Sequence, residues 1–190
     1  MALTPEEIEY LQTYRDTKMM DCDDVRIKEI IKSKLLNNRF ILEILHNEEL
    51  DIECPDDYFG KNILPYYIIS PTQTNVQNII CYEIQYDELN RYNDKVKILQ
   101  IVFYILCEQK NIIEEEYTYL ARHDLLAALL LDEFNWKNYF GQRIHCIDDK
   151  PSVVDSDYAC RTLIFEQVTD NNLTKTKDNI SKLVNKEIHV

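Results

Sequence analysis

The stretch "KVKILQIVFYILCE", residues 95–108, decides the fold. It is rich in β-branched and aromatic residues and contains neither proline nor glycine, which predicts a long strand. Read with a period of two, one row holds Val96, Ile98, Gln100, Val102, Tyr104 and Leu106, and the other Leu99, Ile101, Phe103, Ile105 and Cys107. Both rows are largely apolar. A strand of that kind is covered on both faces, so helices or another subunit are expected above and below it. Just upstream, IICYEIQY (79–86) has the same character, and DELNRYND (87–94) between the two runs reads as the turn of a β-hairpin.

Moving outward, residues 111–120 read as an acidic connection, after which the period changes. In RHDLLAALLLDEFNW (122–136), Leu125, Leu126, Leu129, Leu130 and Phe134 fall on one helical face, predicting a helix from Arg122 to about Phe134 with that face buried. Residues 142–147 and 158–168 form a second pair of predicted strands, joined by the polar loop DDKPSVVDSD. Toward the amino terminus, Thr4-Pro5-Glu6-Glu7 is a helix start, with Thr4 as N-cap, Pro5 in the first helical position and Glu7 closing a capping box. That helix is expected to reach about Arg15. A second helix begins at Asp23-Asp24, carries Val25, Ile27, Ile30, Ile31, Leu35 and Leu36 on one face, and stops at Asn37-Asn38. RFILEILHNEEL leans helical on Phe40, Ile41, Ile44 and Leu45. From Asp51 to Asn78 the prolines and Gly60 indicate a long ordered loop that includes ILPYYII as a short strand. Loops of that length in a compact domain are usually functional.

The expected fold class is therefore α/β of the α+β kind, with an antiparallel or mixed sheet of two hairpins and a helix packed across it. Residues 1–78 supply helices and a long loop, 79–168 the α/β core domain, and 169–190 an extended C-terminal arm.

A chain of 190 residues that is 45% hydrophobic has enough apolar surface for one core. Its net charge of −13 argues against a nonspecific nucleic-acid binder, whose affinity comes from Lys and Arg on phosphates, and against an anionic membrane surface. MALTPEEIEYL lacks the basic start and apolar run of a signal peptide, and no long uninterrupted apolar stretch follows, so the protein is expected to be made in a cytoplasm. The cysteines at 22, 54, 81, 107, 146 and 160 show no ligand spacing and read as small buried hydrophobes. With only Gly60 and Gly141 as glycines, phosphate-cradling P-loop and Rossmann sites are excluded.

Three kinds of chemistry deserve weighing. His123-Asp124 matches the metal-binding pair of the HD phosphohydrolases, but those are all-α and need further helical ligands. Here His145 lies in a predicted strand, His46 far upstream and His189 near the carboxyl terminus. Asp124 reads instead as a favourable charge at a helix start. Glu108-Gln109-Lys110 at the end of a strand matches the Glu-x-Lys of restriction-type, metal-dependent nucleases. Its acidic partner is the difficulty: Asp94 lies about 14 residues away along an extended strand, roughly 45 Å, with Asp87 and Glu88 beyond it. Glu83, Asp56 and Asp57 are the substitutes. Ser152, Ser156 and Cys146 carry no nucleophile signature. No catalytic residue, cofactor or metal is expected.

The order of a long β-hairpin (ICYEIQYDELNRYNDKVKILQIVFYIL), one helix (RHDLLAALLLDEFN) and a second strand pair (GQRIHCI, DYACRTLIFEQV) resembles the tail-completion or tail-terminator proteins of tailed bacteriophages. The resemblance covers roughly residues 79–168. It implies a structural virion protein, made in the host bacterial cytoplasm, that assembles as a ring, commonly a hexamer, at the neck between head and tail. Its partners would be copies of itself and other neck and tail proteins. DNA would pass as a repelled cargo, which strong acidity suits. On this reading Asp87, Glu88, Arg91 and Tyr92 at the hairpin tip are candidate interface residues. So are Leu173, Lys175, Lys177 and Leu183, since 169–190 is locally basic with a few apolar anchors. The alternatives are the nuclease and an acidic adaptor or inhibitor that mimics nucleic acid.

Overall fold

In the computed structural model, residues 3–14, 23–67, 78–87, 96–153 and 157–170 are described. Two long antiparallel strands form the centre of the sheet: β2 (Asn78–Asp87) and β3 (Val96–Glu108). Beyond β3 lies β5 (Tyr158–Asp170), antiparallel to it over its whole length, and then β4 (His145–Val153) at the edge. A two-residue strand, β1 (Ile63–Leu64), adds to the other side of β2 in parallel, so the sheet is mixed and ordered β1-β2-β3-β5-β4. The fold class expected from the sequence is the one observed.

The helices are α1 (Pro5–Tyr14), α2 (Asp23–Leu36), α3 (Arg39–Leu45) and α4 (Arg122–Phe134). At α1 the capping box forms as read: the Thr4 amide donates to Glu7 Oε2 at 2.7 Å and the Glu7 amide to Thr4 Oγ1 at 3.3 Å. No α1 residue is buried. Asn37 and Asn38 divide the next two helices by chemistry. Asn37 Nδ2 donates to the Ser33 carbonyl at 2.8 Å, closing α2, and Asn38 Oδ1 accepts the Ile41 amide at 3.3 Å, opening α3. The α3 face differs from the expected one in one position, for Leu42 is buried while Phe40 is 72% exposed.

α2, α3 and α4 share one sheet face. Ile31 and Leu35 of α2, Ile41 and Leu45 of α3, and Leu126, Leu130 and Phe134 of α4 meet Tyr82, Ile101, Phe103, Leu163 and Phe165 in one core. Of the expected α4 stripe, Leu125 and Leu129 are only partly buried, and Ala127 and Arg122 are buried in addition. The expectation of two covered faces holds for half of β3. On the opposite face Leu106 packs with Ile79, Cys81, Leu64, Tyr158 and Cys160, and Tyr67 lies on Tyr104 with centroids 4.4 Å apart. Further along that face the apolar row is interrupted, and Gln100 donates to Glu166 at 3.1 Å. Among the described residues no helix covers it.

Several boundaries move. DDKPSVVDSD is not a loop throughout, because Asp148–Val153 continue β4. Pro151 is accommodated there because β4 is an edge strand, and a register shift between Cys146 and Asp148 marks a bulge. β5 takes in Thr169 and Asp170, paired with Lys97 and Val96. Among the described residues of ILPYYII, Ile63 and Leu64 are strand and Pro65 ends it, while Ile68 and Ile69 lie outside the described residues. Cys54 is exposed, unlike the buried Cys81, Cys107 and Cys160, and Cys22 lies outside the described residues. Cys107 packs within the core, and its burial pushes the thiol up to about 12.

The 51–67 loop is ordered by an amide chain. Asn47 Nδ2 donates to Asn62 Oδ1 (2.7 Å), Asn62 Nδ2 to the Asn78 carbonyl (2.9 Å), and Asn78 Nδ2 to the Leu45 carbonyl (3.0 Å). Asn62 and Asn78 are both buried.

Candidate functional site

The structure draws attention to the two ends of α4. Before its first turn, residues 112–122 double back: the Glu114 amide donates to the Leu120 carbonyl (2.8 Å), the Arg122 amide to the Ile112 carbonyl (2.6 Å), and Ile113 bridges Ala121. Arg122 fixes the base of this loop through the Asn111 carbonyl (3.0 Å) and the Ile44 carbonyl (3.2 Å). Inside the loop the Glu114 carboxylate accepts from the amides of Glu116 (2.8 Å) and Thr118 (2.7 Å), from Tyr117 (3.1 Å) and from the Thr118 hydroxyl (2.8 Å). Glu114 is only 2% exposed, covered by the loop's own backbone. Burial pushes its pKa upward, but the hydrogen bonds from Thr118, Glu116 and Tyr117 outweigh it and hold the carboxyl below the usual range.

The loop is therefore rigid in a way an "acidic connection" is not, and its outward side chains are large. Tyr117 (61% exposed), Tyr119 (74%) and Leu120 (55%) stand in solvent beside the exposed Glu115 and Glu116. Tyr119 sits at φ 57°, a left-handed conformation uncommon for an aromatic residue.

At the other end, Asn135–Ile144 form a second tight loop. The Trp136 amide donates to the Ile144 carbonyl (2.7 Å), the Ile144 amide returns to Lys137 (2.9 Å), and Asn135 Oδ1 accepts the Cys146 amide (3.0 Å). Trp136 is also left-handed (φ 62°), 65% exposed, and stacks on His145 with centroids 5.5 Å apart and planes 17° from parallel. Lys137 and Arg143 are exposed on the same loop. The result is a basic, aromatic platform on an acidic protein. The sequence carried signals for both ends, in EEEYTYL and WKNYFGQRIH, but not which residues face outward.

The Glu114 geometry gives a testable sign. A folded-state pKa held below that of the unfolded chain contributes stability that is present above about pH 4.3 and is lost as pH falls through the folded pKa. Glu114→Gln is expected to lower the melting temperature at neutral pH and to flatten its acid dependence. Melts of both proteins from neutral pH into the acid range measure this, and parallel curves would count against the role of Glu114.

Of the residues marked from the sequence, Asp87 ends β2 opposite Ile98. Glu88, Arg91, Tyr92, Leu173, Lys175, Lys177 and Leu183 lie outside the described residues, as do the hairpin turn and the arm beyond Asp170. His123 and Asp124 occupy the first turn of α4, where the Asp124 carboxylate meets Arg161, which also pairs with Asp149 (2.7 and 2.8 Å). The acidic member of the pair thus faces an arginine that it shares with Asp149. Glu108 ends β3 with Lys110 at 3.9 Å, ten residues on from Asp87's partner Ile98, roughly 33 Å along the strand. Glu83 pairs with Val102, six residues short of Glu108. Asp157 does border the same hollow as Glu108 and Lys110. Among the described residues no three His, Cys, Asp or Glu side chains are grouped to hold a metal ion, and no helix is long and apolar enough to cross a membrane.

Fold and surface together define an α+β protein with exposed aromatic and charged loops at both ends of α4. The chain belongs to the YomW family, a phage-type family whose model matches residues 15–167, which include α2 to α4 and almost the whole sheet. No curated protein matches the chain.

Proposed function

We propose that this protein is a structural component of a tailed phage particle, a ring of copies at the neck that completes the tail and joins it to the head. The observation that carries the reading is the order of hairpin, single helix and second hairpin in a chain of a phage-type family. The net charge of −13 supports it, since an acidic channel does not retain passing phosphates. No catalytic step is assigned to it, and its partners are further copies and the adjoining neck and tail proteins.

Deleting the gene from the phage and examining lysates by electron microscopy tests this. Filled heads and unattached tails are expected, with joining restored by a plasmid copy. Complete infectious particles from the deletion strain would refute the proposal. The nuclease keeps one specific observation in its favour, the shared hollow of Glu108, Lys110 and Asp157. Cleavage of DNA by the purified protein with Mg²⁺ or Mn²⁺, abolished by Glu108→Gln, would establish that reading instead.

A further inference from the structure

The geometry points to a head-to-tail contact between copies of this chain, in which the Tyr117–Tyr119–Leu120 loop of one copy seats on the Trp136–His145 platform of the next. This inference rests on the reading of the chain as a self-assembling ring component, and it names the surfaces that would close the ring.

The two surfaces are complementary in charge and alike in aromatic character. One offers Glu115 and Glu116 beside two tyrosines, and the other Lys137 and Arg143 beside a stacked tryptophan and histidine. Tyr, Trp and Arg are the residues that most often anchor interfaces, and paired opposite charges set orientation. Both surfaces are held in place before any partner arrives, the loop by four groups donating to Glu114 and the platform by the Trp136–Ile144 and Lys137–Ile144 backbone bonds. Their leading aromatics, Tyr119 and Trp136, both occupy left-handed backbone. Such positions are strained for residues other than glycine and concentrate at functional sites. An ordered loop spends little further entropy on docking.

Topology supplies the second copy as partner. The loop precedes the first turn of α4 and the platform follows its last, so about 20 Å of helix separates them and they cannot meet within one chain. Two different, complementary patches at opposite ends of a subunit make a heterologous contact, which repeats into a closed ring when the rotation between copies closes.

The test uses the full chain in sedimentation velocity across a concentration series at low and moderate salt. The parent protein is expected to assemble in a concentration- and salt-dependent way. Tyr117→Ala/Tyr119→Ala, which leaves Glu114 in place, and Lys137→Glu/Arg143→Glu should each weaken assembly about tenfold or more while keeping the parent circular dichroism. Mixed together, the two variants retain one good loop and one good platform between them, so they should form a one-to-one dimer and nothing larger. Assembly that ignores both variants, or a mixture that forms no dimer, overturns this contact while leaving a ring built otherwise. A parent chain that stays monomeric at the highest concentration and lowest salt overturns the contact and the ring together.

Discussion

Phe134→Ala is expected to lower the free energy of unfolding by about 3–5 kcal/mol. Phe134 is fully buried at the last turn of α4, with its ring centroid 5.2 Å from Phe103, 6.2 Å from Phe165 and 6.4 Å from the stacked Phe140. Phe103 itself meets Phe165 edge-on at 5.7 Å and lies 6.2 Å from Tyr82. Removing Phe134 therefore opens the middle of an aromatic cluster that joins α4, β3, β5 and the loop after α4. The cavity cannot close without moving the sheet or the helix. Denaturant titration measures the loss, and Phe134→Leu should recover a good part of it because most of the volume returns. A loss under about 1 kcal/mol would mean that α4 is not seated on the sheet as described. Trp136 follows two residues later, so the same variant should also loosen the platform.

The second large effect is expected at Asn62. Asn62→Ala should cost about 2–4 kcal/mol, because the buried Asn78 carbonyl loses a partner at about 1–3 kcal/mol and the half-buried Asn47 amide loses a hydrogen bond worth about 1 kcal/mol. Asn47 Nδ2 would have no acceptor and the Asn78 carbonyl no side-chain donor. The damage should be local first. The Ile80 amide donates to the Asn62 carbonyl at 2.7 Å and holds β1 beside β2, so its hydrogen exchange should accelerate before that of β3. Asn62→Asp separates charge from geometry: it can still accept from Asn47 but cannot donate to the Asn78 carbonyl, and it buries a carboxylate, so it should be at least as damaging. Stability equal to the parent in both variants would show that the amide chain does not tie the 51–67 loop down.

These two sites mark where the sequence could and could not be read. Phe134 belongs to a Leu-rich stripe of period 3.6, and β3 to an unbroken run of strand formers, so α4 and the central hairpin are visible in local pattern alone. Asn62 carries no such pattern. Its partners are 15 and 16 residues away, and asparagine is common in loops whether it welds them or not. β4 shows the same limit from the other side, for Asp148–Lys150 and Pro151 look like a turn and become strand because β5 offers a partner for the ladder. The surface at the ends of α4 was hidden for a related reason. Three consecutive glutamates read as solvated charge, yet the first turns inward to bind backbone amides and thereby forces Tyr117 and Tyr119 outward. Likewise Asp124 was legible as a helix-start acid, but its partner Arg161 comes from a strand 37 residues away.

The outer edge of β4 has a consequence for how this protein behaves when crowded. A free sheet edge is a template on which any extended chain can add by main-chain hydrogen bonding, irrespective of its side chains, and it leads to aggregation. Here that edge carries Lys150, a proline with no N–H to offer at 151, and a bulge at Cys146–Asp148 that breaks the even spacing of donors and acceptors. Among the described residues no strand pairs with that edge, and these features disfavour strand recruitment along it. Contacts made there are left to side chains, which can be specific, reversible and limited in number.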